Sequence, residues 1–312
     1  MRLLVFALPL VLLGACTGAP AGGTEPKVAG ATELNVAGST ELKVAGAFGA
    51  EPAITFPAGE PSAELQVDQL VAGRGAVPAR GDVVVVHYTA HVWDGRGNRP
   101  ADSSFGRGGP VAFPVGGLLP GLDRALAGRR AGSRVIAAIP PREGFGANPP
   151  QGVRPGDDLV YVIDILGAHR KGASAGGPGG TLAGARVTGG RRPRLTLPGT
   201  RPPARYAARV LSEGDGRKTR PGELVVTQYE GAVWGQRRVF DSTWSSGTPK
   251  AFRIGDGSVI KAWDRALTGV RAGSRVLLVA PPSMAYGEAG QAAYGIGGGE
   301  TLAFVVDVLA SY

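Results

Sequence analysis

Cysteine and histidine are nearly absent from this sequence of 312 residues, which has 1 cysteine and 3 histidines. The single thiol, Cys16, excludes an intrachain disulfide and a thiolate metal site. His87 and His91 have the spacing that places two side chains on one face of a strand, but no third ligand is near them, so no metal site is predicted. The chain from residue 185 onward has no histidine, which excludes a Ser/His/Asp catalytic set there.

Long hydrophobic runs are also lacking. The N-terminal apolar run, Leu3–Leu13, is shorter than the roughly 20 residues that a membrane-spanning helix needs. Because Arg2 precedes this run and Leu13-Gly14-Ala15-Cys16 ends it, we predict a signal peptide over residues 1–16. The ending resembles the lipobox of bacterial lipoproteins, which implies acylation of Cys16 and a place on the extracytoplasmic face of the cell membrane. An ordinary secreted protein with an incidental cysteine is the alternative.

Acidic residues are fewer than basic ones, 25 against 34, and the net charge is +9. The basic residues do not form one stripe, and an exported protein rarely meets nucleic acid, so no nucleic-acid partner is predicted. A solvated surface is one interpretation of the densest cluster, and attraction to anionic lipid headgroups is another. That cluster comprises Arg186, Arg191, Arg192, Arg194, Arg201, Arg205 and Arg209.

The chain contains an internal repeat. Residues 118–141 and 259–282 are nearly the same, which predicts two copies of one domain, each large enough for its own core. We expect domain 1 over 51–168 and domain 2 over 185–312, joined by a flexible glycine-rich linker over 169–184. Residues 17–50, with an eight-residue period and few large apolar side chains, are predicted to be a mobile tether. A structured repeat is the alternative for this segment.

Each copy shows the same order of predicted elements. The runs Val83–Trp93 and Leu224–Trp234 are rich in β-formers, and a short amphipathic helix follows, with apolar residues at i, i+3 and i+7. Gly128 and Gly269 stand where a helix C-terminal glycine is expected. Strands over Ser274–Ala280 and Leu302–Leu309, with a match for the latter at Leu159–Leu166, complete an α+β pattern that is mostly antiparallel.

Several motifs in domain 2 occur in a recognisable order. These are Tyr229, VFDS at 239–242, Phe252, VIKAW at 259–263, PPSMAYG at 281–287 and ETLAFVVDVL at 300–309. Together they resemble the FKBP-type peptidyl-prolyl cis-trans isomerases, strongly in domain 2 and more loosely in domain 1. The resemblance implies two tandem domains, each an antiparallel β half-barrel wrapped around a short α-helix. It also implies an apolar pocket for a prolyl ring, without metal or cofactor.

The resemblance further implies roles for individual residues of domain 2. Trp263 is expected to form the pocket floor, and the Tyr286 hydroxyl and the Ile260 N–H to donate to substrate carbonyls. Asp241 is expected either to orient the site or to act electrostatically near the imide nitrogen. The remaining expected substrate-binding residues are Tyr229, Phe240, Phe252, Val259, Ile260, Ile296 and Phe304. The loop after Tyr286 is one residue longer than the family pattern, which makes Ile296 the weakest match. Taken singly, each aromatic residue is also consistent with an ordinary core position.

Domain 1 departs from this pattern at the positions that matter most. Leu122 stands in the place of Trp263, and Phe145, which has no hydroxyl, in the place of Tyr286. The segment between Phe113 and Leu119 is also two residues shorter than its counterpart. The expected domain 1 pocket comprises Tyr88, Asp102, Phe113, Leu118, Leu119, Leu122, Phe145 and Tyr161. We therefore predict a weak isomerase or a binding module in domain 1.

Prolyl isomerisation needs no nucleophile, because the enzyme has only to favour the twisted amide over the planar one. The first hypothesis is an exported, lipid-anchored isomerase that assists folding of proline-containing exported proteins, with macrolides of the family's type as inhibitors. The second is a chaperone or interaction protein that binds proline-containing segments with little catalysis. A purely structural surface protein is a third.

Overall fold

A computed structural model describes residues 34–35, 42–94 and 98–312, which fold into two similar halves. The first half contains strands β1 (Leu34–Asn35), β2 (Lys43–Ala45), β3 (Ala53–Thr55), β4 (Gln66–Val71), β5 (Val83–Trp93), β6 (Pro100–Ser103) and β7 (Val111–Pro114), helix α1 (Pro120–Leu126), and strands β8 (Arg134–Ile139) and β9 (Asp158–His169). The second half contains β10 (Gly180–Leu182), β11 (Ala185–Val187), β12 (Leu195–Thr196), β13 (Ala207–Ser212), β14 (Leu224–Val233), β15 (Arg238–Ser242), α2 (Thr243–Ser246), β16 (Lys250–Arg253), α3 (Lys261–Leu267), β17 (Arg275–Ala280) and β18 (Leu302–Ser311).

Each half is built on a six-stranded antiparallel sheet. The strand order is β4-β8-β9-β5-β6 in domain 1 and β13-β17-β18-β14-β15 in domain 2, with β7 paired to β5 and β16 paired to β14. The predicted strand at 83–93 is confirmed to the residue, and the one at 224–234 ends one residue early, at Val233. The predicted α+β half-barrel, with few helices and mostly antiparallel strands, is thus the observed architecture.

The short helix of each domain packs against one face of its sheet. Helix α3 buries Trp263 and Leu267, and α1 buries Leu126 at the place of Leu267. Both helices follow an extended residue, and Gly128 and Gly269 come just after them with φ of +72° and +81°. These are left-handed conformations that glycine adopts without steric cost, so both glycine stops were correctly predicted.

Residues 42–56 contradict the predicted mobile tether over 17–50. Strands β1, β2 and β3 form a small antiparallel sheet, in which Leu34 pairs with Val44. Leu42 and Val44 are 1% and 3% exposed and pack with Trp93 against the outer face of the domain 1 sheet. Ile54 and Phe56 pack on the same surface, so the segment covers an apolar face of the domain 1 sheet.

The predicted flexible linker over 169–184 is also wrong. The N–H of Gly172 donates to the carbonyl of Gly247 at 2.6 Å, and the Ser174 hydroxyl donates to Asp307 at 2.7 Å. Strand β10 pairs with β11, which in turn pairs with β12. This second small sheet covers the outer face of the domain 2 sheet, as β1–β3 do in domain 1.

A buried ion pair connects each small sheet with its domain. Arg275 and Asp307 are both fully buried at 2.6 Å, and Arg134 and Asp164 are 2% exposed at the same distance. The guanidinium of Arg134 also donates to the carbonyls of Gly46 and Ala50. Charges buried this deeply require such complete pairing, because moving an unpaired ion out of water costs several kcal/mol.

The two domains share an apolar interface within one compact unit that spans residues 32–312. Val85 of β5 and Val226 of β14, which occupy equivalent places in the repeat, are both fully buried there. The His169 ring and the Tyr312 hydroxyl are hydrogen-bonded at 2.8 Å, and Arg253 donates to the carbonyls of Gly108 and Pro110.

The predicted signal peptide and Cys16 lie outside the described residues. In the part of the chain that the structure describes, no helix has the length and apolar character to cross a membrane.

Candidate active site

Domain 2 contains an open cavity of about 600 Å³ beside helix α3. All but one of the predicted domain 2 residues line it. The lining residues are Tyr229, Phe240, Asp241, Phe252, Gly257, Ser258, Val259, Ile260, Lys261, Trp263, Ala285, Tyr286, Gln291, Tyr294 and Phe304. The cavity is therefore formed by the inner face of the sheet, the start of the helix and two loops.

Trp263 lies at the centre of the aromatic wall. The ring centroids of Tyr229, Phe252 and Phe304 are 5.1, 5.2 and 5.6 Å from that of Trp263, each with its ring edge-on to the indole. Edge-to-face contacts of this kind are favourable for aromatic rings, so the four side chains hold one another in place. The result is a rigid apolar surface, at which a prolyl ring can bind with little rearrangement.

Asp241 forms the polar side of the cavity. Its carboxylate accepts a short hydrogen bond from the Tyr229 hydroxyl and lies 3.1 Å from the ammonium of Lys250. Burial is the main cause that raises the pKa of Tyr229, and the hydrogen bond to Asp241 is the second. Tyr229 therefore stays protonated and donates at neutral pH, which holds the carboxylate at the cavity wall.

Two hydrogen-bond donors at the cavity have no acceptor among the described residues. One is the half-buried Tyr286 hydroxyl, which follows the turn Pro282–Met284, and the other is the N–H of Ile260, just before helix α3. Burial raises the pKa of Tyr286, so its hydroxyl is protonated at neutral pH. Both groups are free to donate to the carbonyl oxygens of a bound peptide.

The loop that leads to Ile260 is held by the helix itself. The carboxylate of Asp264 accepts from the N–H groups of Gly255 at 2.6 Å and Gly257 at 3.2 Å. In domain 1, Asp123 accepts from Gly116 and Leu118 in the same way. The shorter domain 1 loop is thus anchored as firmly, and the two pockets differ in their side chains and loop lengths.

Domain 1 has a smaller cavity of about 170 Å³ in the equivalent place. Its lining is almost wholly apolar and consists of Val86, Tyr88, Phe113, Leu118, Leu119, Leu122, Leu126, Phe145, Tyr161 and Ile163. Asp102 accepts from Tyr88, as Asp241 does from Tyr229, but it also forms a two-pronged ion pair with Arg107 at 2.6 and 2.9 Å. Phe145 occupies the place of Tyr286, so this cavity has no hydroxyl there.

Two sequence predictions of site residues differ from the structure. Ile296 is 4% exposed and packs in the domain 2 core, and it does not line the cavity. Tyr294 lines it instead, with its ring 6.0 Å from that of Phe240. Asp102 likewise does not line the domain 1 cavity, because Arg107 and Tyr88 hold its carboxylate outside it.

Sequence reasoning also missed residues that do line the cavities. Gly257, Ser258, Lys261, Ala285, Gln291 and Tyr294 belong to the domain 2 lining, and Val86, Leu126 and Ile163 to that of domain 1. Most of these residues belong to loops or sit at the start of a helix, where no periodic pattern indicates which side chain faces inward. Among the described residues, no cluster of three or more metal-ligating side chains occurs.

The fold and the aromatic cavity define an antiparallel β half-barrel with an apolar pocket beside its short helix. The sequence profile of the FKBP-type peptidyl-prolyl cis-trans isomerases matches residues 75–166 and 215–309, more than half of the chain. The chain therefore belongs to this family and contains two of its domains.

Similar proteins occur in bacteria and animals. An FK506-binding protein of Streptomyces anulatus is 39% identical over 119 residues, which are 38% of this chain and 96% of the relative. Human peptidyl-prolyl cis-trans isomerase FKBP10 is 30% identical over 240 residues, which are 75% of this chain but 35% of that protein. Among solved structures, the three FKBP domains of wheat FKBP73 align with 80% of this chain and 94% of that one, at 22% identity and a TM-score of 0.32.

Proposed function

We propose that this isomerase catalyses mainly in domain 2 and acts outside the cytoplasm on proline-containing segments of exported proteins. The observation that carries the assignment to domain 2 is the contrast between the cavities, about 600 Å³ against about 170 Å³. The larger cavity has Asp241, Tyr286 and the Ile260 N–H beside its aromatic wall, and the smaller one lacks a counterpart to the Tyr286 hydroxyl.

The domain 2 cavity supports catalysis by differential binding. A twisted prolyl amide is less charge-separated than a planar one. It therefore loses less hydration free energy when it enters an apolar pocket next to Trp263. In the proposed mode, Tyr286 and the Ile260 N–H hold the carbonyls that flank the proline. Asp241 holds Tyr229 in place and sets a negative potential near the imide nitrogen. No proton transfer and no covalent intermediate are required.

Export and anchoring rest on the N-terminal sequence. The run Leu3–Leu13 followed by Cys16 supports a signal peptide with lipidation at Cys16, and mass spectrometry of the mature N-terminus tests this. The matched relative described as an FK506-binding protein supports macrolide inhibition at the domain 2 cavity. Lipidation at Cys16 would hold the client-binding site near the membrane surface.

The test of domain 2 catalysis uses the full chain. The double variant Asp241→Ala/Tyr286→Phe is compared with Asp102→Ala, which removes the equivalent carboxylate in domain 1. We expect kcat/KM for an X-Pro peptide to fall at least about tenfold in the double variant, from the loss of two polar interactions, and to stay within about twofold in Asp102→Ala. Equal losses in both variants would contradict the assignment.

A second candidate function, binding of proline-containing segments without turnover, is favoured by domain 1. Its apolar cavity retains Tyr88 and Phe113 but has Leu122 and Phe145 in the places of Trp263 and Tyr286. We expect the Asp241→Ala/Tyr286→Phe chain to retain suppression of aggregation by an unfolded client. Loss of that activity together with turnover would assign client binding to domain 2 as well.

A further inference from the structure

The excess positive charge of the chain is concentrated in one segment. Residues 170–211 contain nine arginines and lysines and no aspartate or glutamate, while the net charge of the whole chain is +9. The rest of the chain therefore has equal numbers of basic and acidic residues. The equivalent segment of domain 1, residues 42–71, has one lysine and four acidic residues. Since both segments form the same small sheet, the fold does not require the positive charge.

The structure places this charge on an outward-facing surface. In β11 and β12, Ala185, Val187 and Leu195 point into the domain, so Arg186 and Arg194 point away from it. We name the set of exposed arginines in this segment the arginine surface. It consists of Arg186, Arg191, Arg192, Arg194, Arg201, Arg205 and Arg209.

The guanidinium groups of the arginine surface are uncompensated. None of them forms an ion pair with a carboxylate among the described residues. Glu230 lines a cavity with Arg192 and Arg194, but it accepts from the Leu195 N–H at 2.9 Å and lies 3.4 Å from the Ser242 hydroxyl. Neither arginine forms an ion pair with this carboxylate.

An exposed apolar side chain accompanies the arginines. Val239, which is 45% exposed, lines the same cavity as Arg192 and Arg194. Arginines next to exposed aliphatic side chains suit the boundary between lipid headgroups and acyl chains. Stacking platforms for single-stranded nucleic acid are lacking, because Tyr206, the segment's one aromatic residue, is half-buried against Arg265.

We propose that the arginine surface docks domain 2 onto an anionic phospholipid membrane through the phosphate groups of the lipids. Guanidinium groups pair with phosphate oxygens in a two-pronged geometry that a lysine ammonium does not match, and residues 185–212 contain arginine but no lysine. This site goes beyond the proposed isomerase function and does not depend on it.

The docking geometry leaves the active site accessible. The arginine surface belongs to the small sheet β10–β12, which packs against Leu277 and Val279 of β17. The active-site cavity lies on the other side of β17, toward which Val276 and Leu278 point. Successive residues of a strand face opposite sides of the sheet, so the two sites lie on opposite faces of domain 2. A domain bound through its arginines would present Trp263 and its cavity away from the membrane, toward clients.

The test uses the full chain with Cys16→Ser, which prevents acylation, and measures flotation with vesicles. Pure phosphatidylcholine vesicles are compared with vesicles that contain about one third phosphatidylglycerol. The docking variant replaces Arg186, Arg191, Arg192 and Arg194 by Gln. The matched control replaces the exposed domain 1 residues Arg74, Arg80, Arg130 and Arg142 by Gln, so that the change in net charge is the same.

We expect the chain to prefer the anionic vesicles and to lose that preference as salt rises. The docking variant should bind them at least about a hundredfold more weakly, and the control variant within about threefold. Equal losses in both variants would show that net charge alone acts and would overturn the proposal. So would binding to heparin or duplex DNA without binding to vesicles. Unchanged unfolding midpoints exclude misfolding, and the salt dependence of the unsubstituted chain tests the proposal without any variant.

Discussion

Removing the Tyr286 hydroxyl is the smallest change that tests the domain 2 site. The side chain lines the active-site cavity, and its hydroxyl has no hydrogen-bond partner among the described residues. Tyr286→Phe therefore takes nothing from the folded protein except one oxygen atom at the cavity. The ring remains to exclude water and to pack against the neighbouring loop.

The expected size of the effect follows from this geometry. A neutral hydrogen bond to a peptide carbonyl contributes about 1 kcal/mol, which corresponds to about a fivefold loss of kcat/KM. If the bond exists equally in the ground state and the transition state, the loss appears in KM; if it strengthens as the amide twists, it appears in kcat. The free energy of unfolding should change by less than about 0.5 kcal/mol, because no bond within the protein is lost.

The assay follows cis-trans turnover of an X-Pro peptide and, in parallel, unfolding by denaturant. Tyr312→Phe is the matched control, since it removes the same hydroxyl from a site at the domain interface. That hydroxyl is bonded to His169 at 2.8 Å, so its loss should reduce the free energy of unfolding by about 1 kcal/mol and leave kcat/KM unchanged. An unchanged kcat/KM in Tyr286→Phe, or an equal loss in Tyr312→Phe, would refute the proposed role of Tyr286.

Two further predictions concern stability. Arg275→Met should cost about 3–5 kcal/mol in denaturant unfolding, because it leaves the buried Asp307 carboxylate without its guanidinium, and a second substitution, Asp307→Leu, should restore part of the loss. If the double variant is no more stable than Arg275→Met, then Arg275 acts through its other hydrogen bonds. Burial lowers the pKa of His169 to about 4. As the pH falls, His169 of the unfolded state therefore takes up a proton before His169 of the folded state. The contribution of the neutral His169 to the free energy of unfolding should be complete above about pH 6.5 and fall by up to about 3 kcal/mol as the pH decreases toward 4. His169→Gln should remove this part of the acid dependence, and an unchanged pH profile would contradict the prediction.

The regular elements were largely predictable because their patterns repeat. A continuous run of β-forming residues identifies β5, which is buried on both faces, and the i, i+3, i+7 spacing identifies α3, which packs one face against the sheet. Where large apolar residues are sparse, the sequence pattern carries little information. Residues 17–50 and 169–184 were therefore predicted to be mobile, although Val44 and Ser174 attach parts of these segments to the two domains.

The site was predictable to the extent that it lies on regular elements. Trp263 on α3, Phe252 on β16 and Phe304 on β18 all line the cavity, as their elements require. The loop side chains were not predictable in the same way. Tyr294 lines the wall where Ile296 was expected, because the path of an irregular loop decides which side chain faces inward and no periodic pattern indicates it.

The amino-acid sequence by itself determined the duplication, the order of strands and helix in each copy, and the unequal residues Leu122 and Trp263. The half-barrel was implied by the family resemblance. Periodic burial and local turn chemistry are short-range signals that the chain states directly. Tertiary structure alone decided the volumes of the two cavities, the buried Arg275–Asp307 pair and the direction in which the arginines point. Each depends on residues far apart in sequence, whose proximity is fixed only when the sheet closes and the small sheet packs behind it.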